Sequence, residues 1–268
     1  MQIKTYKQNY RKPAQGNKEQ RTQTASEWLD TLNKRWKKEV DNAIQNTTAV
    51  RCDVAQANRI LNIGECRYPD TSIKVFKNDV VTCAKAAVTH ASRDEKICVL
   101  NYASYVNPGG GFIKGSTAQE EAICFATGLY PCLKSQQEFY DEHREQDTDS
   151  CYSDDYIYSK DVPFIVNRKC YLVDVLTMAA PNQKKAKLSP VEDIFEQRME
   201  LAYLIPSHYN CDVLLLGAWG CGVFGNDPEF VAKSWKKFSK DYDGLYREVV
   251  HPVLDTDMCK VFRKVMEG

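Results

Sequence analysis

The sequence has no excess of charge of either sign: Lys+Arg and Asp+Glu are both 36, so the formal net charge is zero. No global field draws the chain to nucleic acid or to an anionic membrane surface. Long apolar runs are missing too. The longest stretch without a polar side chain, Val213–Gly225, is broken by glycines and is shorter than the roughly 18 residues a membrane span requires. The opening Met1-Gln2-Ile3-Lys4-Thr5-Tyr6-Lys7 has no apolar core of the kind a secretory signal carries. These absences predict a soluble, intracellular, cytoplasmic protein with no membrane partner and no specific nucleic-acid sequence as target. None of the eleven cysteines forms a CxxC pair, and the four histidines (His90, His143, His208, His251) lack zinc-ligand spacing. Cysteines inside apolar runs, such as Cys98 and Cys124, read as reduced, buried thiols. No metal and no cofactor is expected.

What is present is a core. At 268 residues and 43% hydrophobic composition, the chain can form one large domain or two small ones. Residues 1–22 are polar and locally basic and read as a mobile arm. Thr24-Ala25-Ser26-Glu27 fits a capping box, and Leu29, Leu32, Trp36, Val40, Ala43 and Ile44 recur at helical spacing, which predicts one amphipathic helix over about 25–45. After residue 70, strand-like and helix-like runs alternate. Strands are predicted at 73–77, 97–102, 163–166, 172–179, 213–217 and 248–254, and helices near 80–91, 191–205, 228–240 and 256–266. Near-continuous apolar strands between helices imply an α/β fold with a largely buried, mostly parallel sheet. Residues 134–156 carry eight acidic side chains from Glu138 to Asp155 and no clear period. They read as a surface insertion.

Two strand ends run into glycine. One strand is followed by Asn107-Pro108-Gly109-Gly110-Gly111-Phe112, the other by Gly217-Ala218-Trp219-Gly220-Cys221-Gly222-Val223-Phe224-Gly225-Asn226. Consecutive glycines admit positive φ, and successive N–H groups can then point into one concavity and hold an anion. The second loop leads into a helix near Pro228, and a helix N-terminus favours phosphate. Two facing cradles suit a diphosphate. Neither loop is a Walker P-loop. Residues 220–225 match GxGxxG by letter, but no acidic ribose anchor follows about 20 residues on, so a nicotinamide-dependent oxidoreductase is disfavoured. Gln119-Glu120-Glu121 opens a helix shortly after Gly111. Adjacent helical residues point in different directions, so one acid can bind a sugar hydroxyl while the other does chemistry.

These residues, taken in order, resemble the signature of poly(ADP-ribose) glycohydrolases: Asn101-Tyr102-Ala103-Ser104, the triple glycine 109–111, a seven-residue spacer and Gln119-Glu120-Glu121. Thr127-Gly128-Leu129-Tyr130-Pro131, Val175–Asn182 and Leu216–Pro228 resemble the microbial type. The resemblance implies a macrodomain-like three-layer α/β/α sandwich with a mixed sheet. Residues 23–268 would form the single domain, with 23–70 as a helical extension. It implies that ADP-ribose lies across the two loops. Gly109, Gly110 and Gly111 would line the distal ribose and diphosphate. Gly220, Cys221, Gly222, Val223, Phe224, Gly225 and Asn226 would form the diphosphate loop, with Phe224 packing on ribose or base. Glu121 takes the catalytic position, Glu120 and Asn101 hold the distal ribose, Gln119 orients the site, and Asp79 resembles the aspartate that binds the adenine amino group. Where animal-type members carry Asp and Asn, this chain has Asn101 and Ser104. The implied partner is poly(ADP-ribose) or an ADP-ribosylated protein, acted on by a monomer. Removal of a single ADP-ribose, or ADP-ribose binding without cleavage, stays open as an alternative.

Overall fold

A computed structural model of the chain describes residues 16–63, 66–92, 94–146, 149–187 and 191–268. Its centre is the strand β3. The sheet comprises β1 (Thr47–Val50), β2 (Ser72–Phe76), β3 (Ile97–Tyr102), β4 (Tyr156–Val166), β5 (Lys169–Met178), β6 (Val213–Leu215) and β7 (Glu248–Pro252). These seven strands lie in the order β1-β4-β5-β3-β6-β7-β2. The run β5-β3-β6-β7-β2 is parallel throughout, while β4 is antiparallel to both β5 and β1. The sheet is therefore mixed, parallel at its centre.

β3 shows why both faces are covered. Its Cys98 and Leu100 enter one apolar cluster, and its Ile97 and Val99 enter the other. A strand with no polar residue before Asn101 has no face to give to water. One cluster is closed by α3 (Val54–Leu61), α8 (Val191–Leu204), α9 (Pro228–Asp241) and α10 (Thr256–Glu267), through Ile60, Phe195, Trp235 and Phe262. The other is closed by α1 (Lys18–Arg35), α2 (Lys37–Gln45), α4 (Val80–His90), α5 (Gln119–Ala126), α6 (Leu129–Ser135) and α7 (Gln137–Glu145). The result is three layers, α/β/α. All eleven cysteines are free, and most are buried.

The N-terminal helix departs from expectation. Two helices replace the single one predicted over 25–45, with the break at Trp36 (φ −130°, ψ 23°). The start is set by Asn17. Its side chain accepts the Gln20 N–H at 2.9 Å, and the Gln20 side chain accepts the Asn17 N–H at 2.9 Å. That reciprocal cap supersedes the Thr24–Glu27 box. Thr24 lies inside α1, where its hydroxyl donates to the Gln20 carbonyl. The helix thus occupies part of the expected arm. Residues 1–15 lie outside the described residues.

The acidic segment 134–156 is also more ordered than its composition suggests. It contains α7, which buries Phe139, Tyr140 and His143 and turns Glu138, Asp141, Glu142 and Glu145 outward. A polar face on three sides hides so short an apolar stripe. β4 and β5 form a hairpin longer than the two short strands predicted, joined at Asn167 and Arg168, both at positive φ (51° and 63°), the backbone of a two-residue hairpin turn. Among the described residues, no helix is long and apolar enough to cross a membrane.

Candidate active site

β3 and β6 are neighbours, so the loops that follow them rise side by side from the carboxyl edge of the sheet. The Tyr102 hydroxyl, at the end of β3, donates to the Leu216 carbonyl just beyond β6 at 2.9 Å and ties the two loop roots together.

The first loop bends at Gly109 (φ 69°) and Gly110 (φ 58°), then passes through a short 3-10 turn (Phe112–Lys114) into α5. The first three residues of α5 each dock on what precedes them. Gln119 accepts the Tyr102 N–H at 2.9 Å and donates to the Leu100 carbonyl at 2.8 Å, so its amide pairs with β3 as a further strand residue would. Glu120 accepts the Ser104 N–H at 2.8 Å and the Asn101 side-chain amide at 3.2 Å. Asn101 in turn donates to Thr177. Glu121 accepts Gly111 N–H at 2.7 Å on one oxygen and Ala118 N–H at 2.8 Å on the other. Ala118 has no side chain with which to cap α5, and Glu121 supplies the satisfied half of that cap.

Both carboxylates converge on Gly110. A Cβ there would lie 2.6 Å from Glu121 Oε1 and 2.9 Å from Glu120 Oε2. Only glycine lets the backbone approach both acids. Both are buried, Glu121 at 5% exposed. Glu120 is 3% exposed, and burial pushes its carboxyl up to about 8, against the lowering pull of the Ser104 and Asn101 hydrogen bonds.

The second loop is clamped by Asn226, which is 4% exposed. Its side chain donates to the carbonyls of Pro181 (2.9 Å) and Gly220 (3.1 Å). Above that clamp, the N–H groups of Gly222, Val223 and Phe224 have no acceptor among the described residues. The N-terminus of α9, by contrast, is already occupied: Asp227 accepts from Glu229 and Phe230 N–H. The expected phosphate position at that helix end is filled by the protein's own carboxylate, and the loop donors are the ones left open.

The chain has family and structural matches to set beside this geometry. The family model for the catalytic domain of microbial-type PARG matches residues 17–167, more than half of the chain. The chain belongs to this family. Poly(ADP-ribose) glycohydrolase (PARG) from Thermomonospora curvata superposes with a TM-score of 0.83 at 29% identity, covering 92% of this chain and 99% of that one. The same enzyme bound to the inhibitor ADP-HPD gives a TM-score of 0.81 at 29% identity, over 92% and 99% of the two chains. PARG from Deinococcus radiodurans in complex with ADP-ribose gives 0.74 at 28% identity, over 85% of this chain and 97% of that one. No curated protein matches the chain.

As a microbial-type PARG catalytic domain, the chain carries a cleft of about 1180 Å³ between the two loops. The cleft is lined by Ser104, Gly110, Gln119, Glu120 and Glu121 on one side, and by Gly220, Gly222, Val223 and Phe224 on the other. Asp79 lines it too, but both its oxygens are engaged at 2.8 Å by Thr82, as the cap of α4. Asn101, Gly109, Gly111, Cys221, Gly225 and Asn226 do not line the cleft; they are its supports. Asn101 is fully buried behind Glu120, and the Cys221 thiol turns inward to the Trp219 carbonyl. The fold also brings in residues with no site role expected from the sequence: Tyr105, Tyr152, Asn182, Lys184 and Lys185. Only Asn182 carried a signal, at the end of the Val175–Asn182 run. Tyr152 lies in the acidic segment, where no periodicity marks it.

Proposed function

We propose that the protein hydrolyses the ribose–ribose O-glycosidic bond of poly(ADP-ribose) and releases ADP-ribose, on a macrodomain-type scaffold. The observation that carries this reading is the convergence of Glu120 and Glu121 on Gly110, opposite a glycine loop with three open N–H donors. Open backbone donors on Gly222–Phe224 suit a diphosphate. A sugar placed over Gly110 then has Glu121 beside it.

Ordinary glycosidases use two carboxyls roughly 5–10 Å apart, one as acid and one as base or nucleophile. Here both oxygens of Glu120 are engaged by Ser104 and Asn101. Held largely neutral at pH 7 by burial, Glu120 is a poor nucleophile and fits the task of holding ribose hydroxyls. Glu121 is then the single acid and base. Protonated, it donates to the leaving 2′-oxygen as an oxocarbenium-like ribose develops. As the carboxylate, it takes a proton from the water that completes hydrolysis. A carboxyl oxygen that accepts one N–H bond has a second lone pair for this traffic. Free, mostly buried thiols fit the cytoplasm as its setting.

The test is release of ADP-ribose from purified polymer, followed chromatographically, beside calorimetry with ADP-ribose. Release with product binding supports hydrolysis; binding with no release identifies a module that only reads ADP-ribose.

A further inference from the structure

The helix that carries both acids cannot hold its own position. α5 has eight residues, below the roughly 12 that an isolated helix needs, and its cap residue Ala118 has no side chain to bond the first turn. Part of its support comes from the N-terminal end of the chain. In α1, Arg21, Ala25 and Trp28 recur at spacings of four and three and so share one face. Ala25 is buried, while Arg21 and Trp28 are half-buried. The polar group of each of these two ends on a backbone carbonyl of the segment that carries the acids. Arg21 Nε donates to the Gly115 carbonyl at 2.6 Å, ahead of α5. Trp28 Nε1 donates to the Thr127 carbonyl at 3.1 Å, just past the last turn of α5. Seven residues of α1 separate the two donors, about 10 Å along its axis, which nearly matches the ~12 Å length of α5.

The contact at Gly115 is one of backbone on backbone. Gly115 is left-handed (φ 72°), and a Cβ on it would lie 2.5 Å from the Lys18 carbonyl oxygen. The Arg21 guanidinium also donates through Nη1 to the Gly16 carbonyl, so it joins the start of α1 to the loop. Arg21 falls in the stretch that composition reads as a mobile arm, yet its side chain is spent on two carbonyls.

Gly115 lies inside the loop whose two ends hold Glu121. That loop runs from Gly111 to Ala118, and the N–H groups of those two residues are the donors to the Glu121 carboxylate, at 2.7 and 2.8 Å. Between them, Ser116 N–H donates to the Gly111 carbonyl at 3.0 Å and folds the loop on itself. A shift of Gly115 therefore passes to both donors. α1 itself does not line the cleft, so neither Arg21 nor Trp28 touches what binds there. We infer that Arg21 and Trp28 are positioning residues for hydrolysis: through them α1 brackets α5 at both ends and sets where the Glu121 carboxyl stands against the bond it cleaves. The inference rests on the hydrolytic reading above. Misplacing a reacting group by about 1 Å costs on the order of 10²-fold in rate. The open donors of Gly222–Phe224 belong to the other loop, so a loosened bracket should change turnover more than affinity.

The test compares wild type with Arg21→Ala, Arg21→Lys and Trp28→Phe. The last removes the indole donor and keeps an aromatic ring, so it holds the fold even where Arg21→Ala loosens it. kcat and KM are measured on purified polymer, ADP-ribose affinity by calorimetry, and thermal unfolding sets an assay temperature at which every variant is folded. The expected result is a kcat lowered roughly 10- to 100-fold in Arg21→Ala and lowered in Trp28→Phe, with KM and ADP-ribose affinity within about threefold of wild type. Arg21→Lys, whose ammonium can still donate to the Gly115 carbonyl, should regain most of the lost kcat. An unchanged kcat in both Arg21→Ala and Trp28→Phe would overturn the inference. So would a raised KM with kcat kept, which would assign α1 to substrate binding. A wild type that releases nothing from polymer would overturn the hydrolytic reading itself, and this inference with it.

Discussion

Glu121 holds Gly111 by its backbone: one carboxylate oxygen accepts that N–H at 2.7 Å, while the other accepts Ala118 N–H. The acid assigned to proton transfer therefore also closes the neck of the loop between the triple glycine and α5. Glu121→Gln keeps one acceptor and sets an NH₂ against an N–H donor at the other. Release of ADP-ribose from polymer should fall about 10²- to 10⁴-fold, the range for a lost acid–base group, and the melting temperature should drop by a few degrees. Single-turnover release paired with thermal unfolding checks both. A variant within tenfold of wild type would remove Glu121 from the proton-transfer role.

Gly110→Ala tests the close approach separately from the chemistry. The new methyl would sit 2.6 Å from Glu121 Oε1 on a residue at φ 58°. Left-handed strain costs about 1–2 kcal/mol for a non-glycine residue, and the two carboxylates must also move apart. Activity should fall by more than the stability loss explains. Calorimetry should show weakened ADP-ribose binding in a protein that still unfolds cooperatively.

The raised Glu120 carboxyl has a consequence for stability. In an unfolded chain it ionises near 4.5; buried, it ionises near 8. Between those values the folded chain keeps a proton that the unfolded chain has released, so stability from this group is full below about pH 4.5 and is lost as pH rises through about 8. Glu120→Gln cannot ionise. Its melting temperature relative to wild type should be highest at pH 8 and should converge toward the wild-type value at pH 5, while its activity on polymer falls. The differential is of order a few kcal/mol. Equal offsets at the two pH values would show that Glu120 ionises in the folded chain as it does in water.

Much of this site could be read from residue order, and the reason is local. β3 is apolar on both faces, so its length and place follow from Ile97–Leu100 alone, and its boundaries came out at 97–102 as expected. Glycines 109–111 and the two acids act through backbone and adjacent side chains, which spacing reveals. What stayed hidden depends on distant partners. The start of α1 turns on Asn17 capping ahead of Thr24. α7 buries three residues against a core that its acidic composition does not announce. Tyr152 reaches the cleft because Arg198, far along the chain on α8, holds its carbonyl. The division of the glycine loops into lining and supporting residues is likewise a matter of which way each peptide faces.

Arg198→Met should expose that dependence. It removes the partner of Asp154 and leaves the carbonyls of Cys151, Tyr152 and Ala179 without a donor. Asp154 is one-third exposed, so the cost comes mainly from the buried carbonyls left without a donor, about 1–3 kcal/mol for each such group, measurable by urea unfolding. Hydrogen exchange in residues 149–155 should rise ahead of exchange in β3. Unchanged exchange there would show that the segment is held by its other contacts.

The neighbouring positions of β3 and β6 in the sheet carry one more implication, for how the protein is made. During synthesis the acids leave the ribosome well before the loop that must face them, because β6 and its glycines belong to the last third of the chain. An N-terminal fragment ending at residue 167 would hold both glutamates and no opposing wall. A nascent chain can therefore neither capture nor cut its substrate until β6 and the loop after it have also left the ribosome.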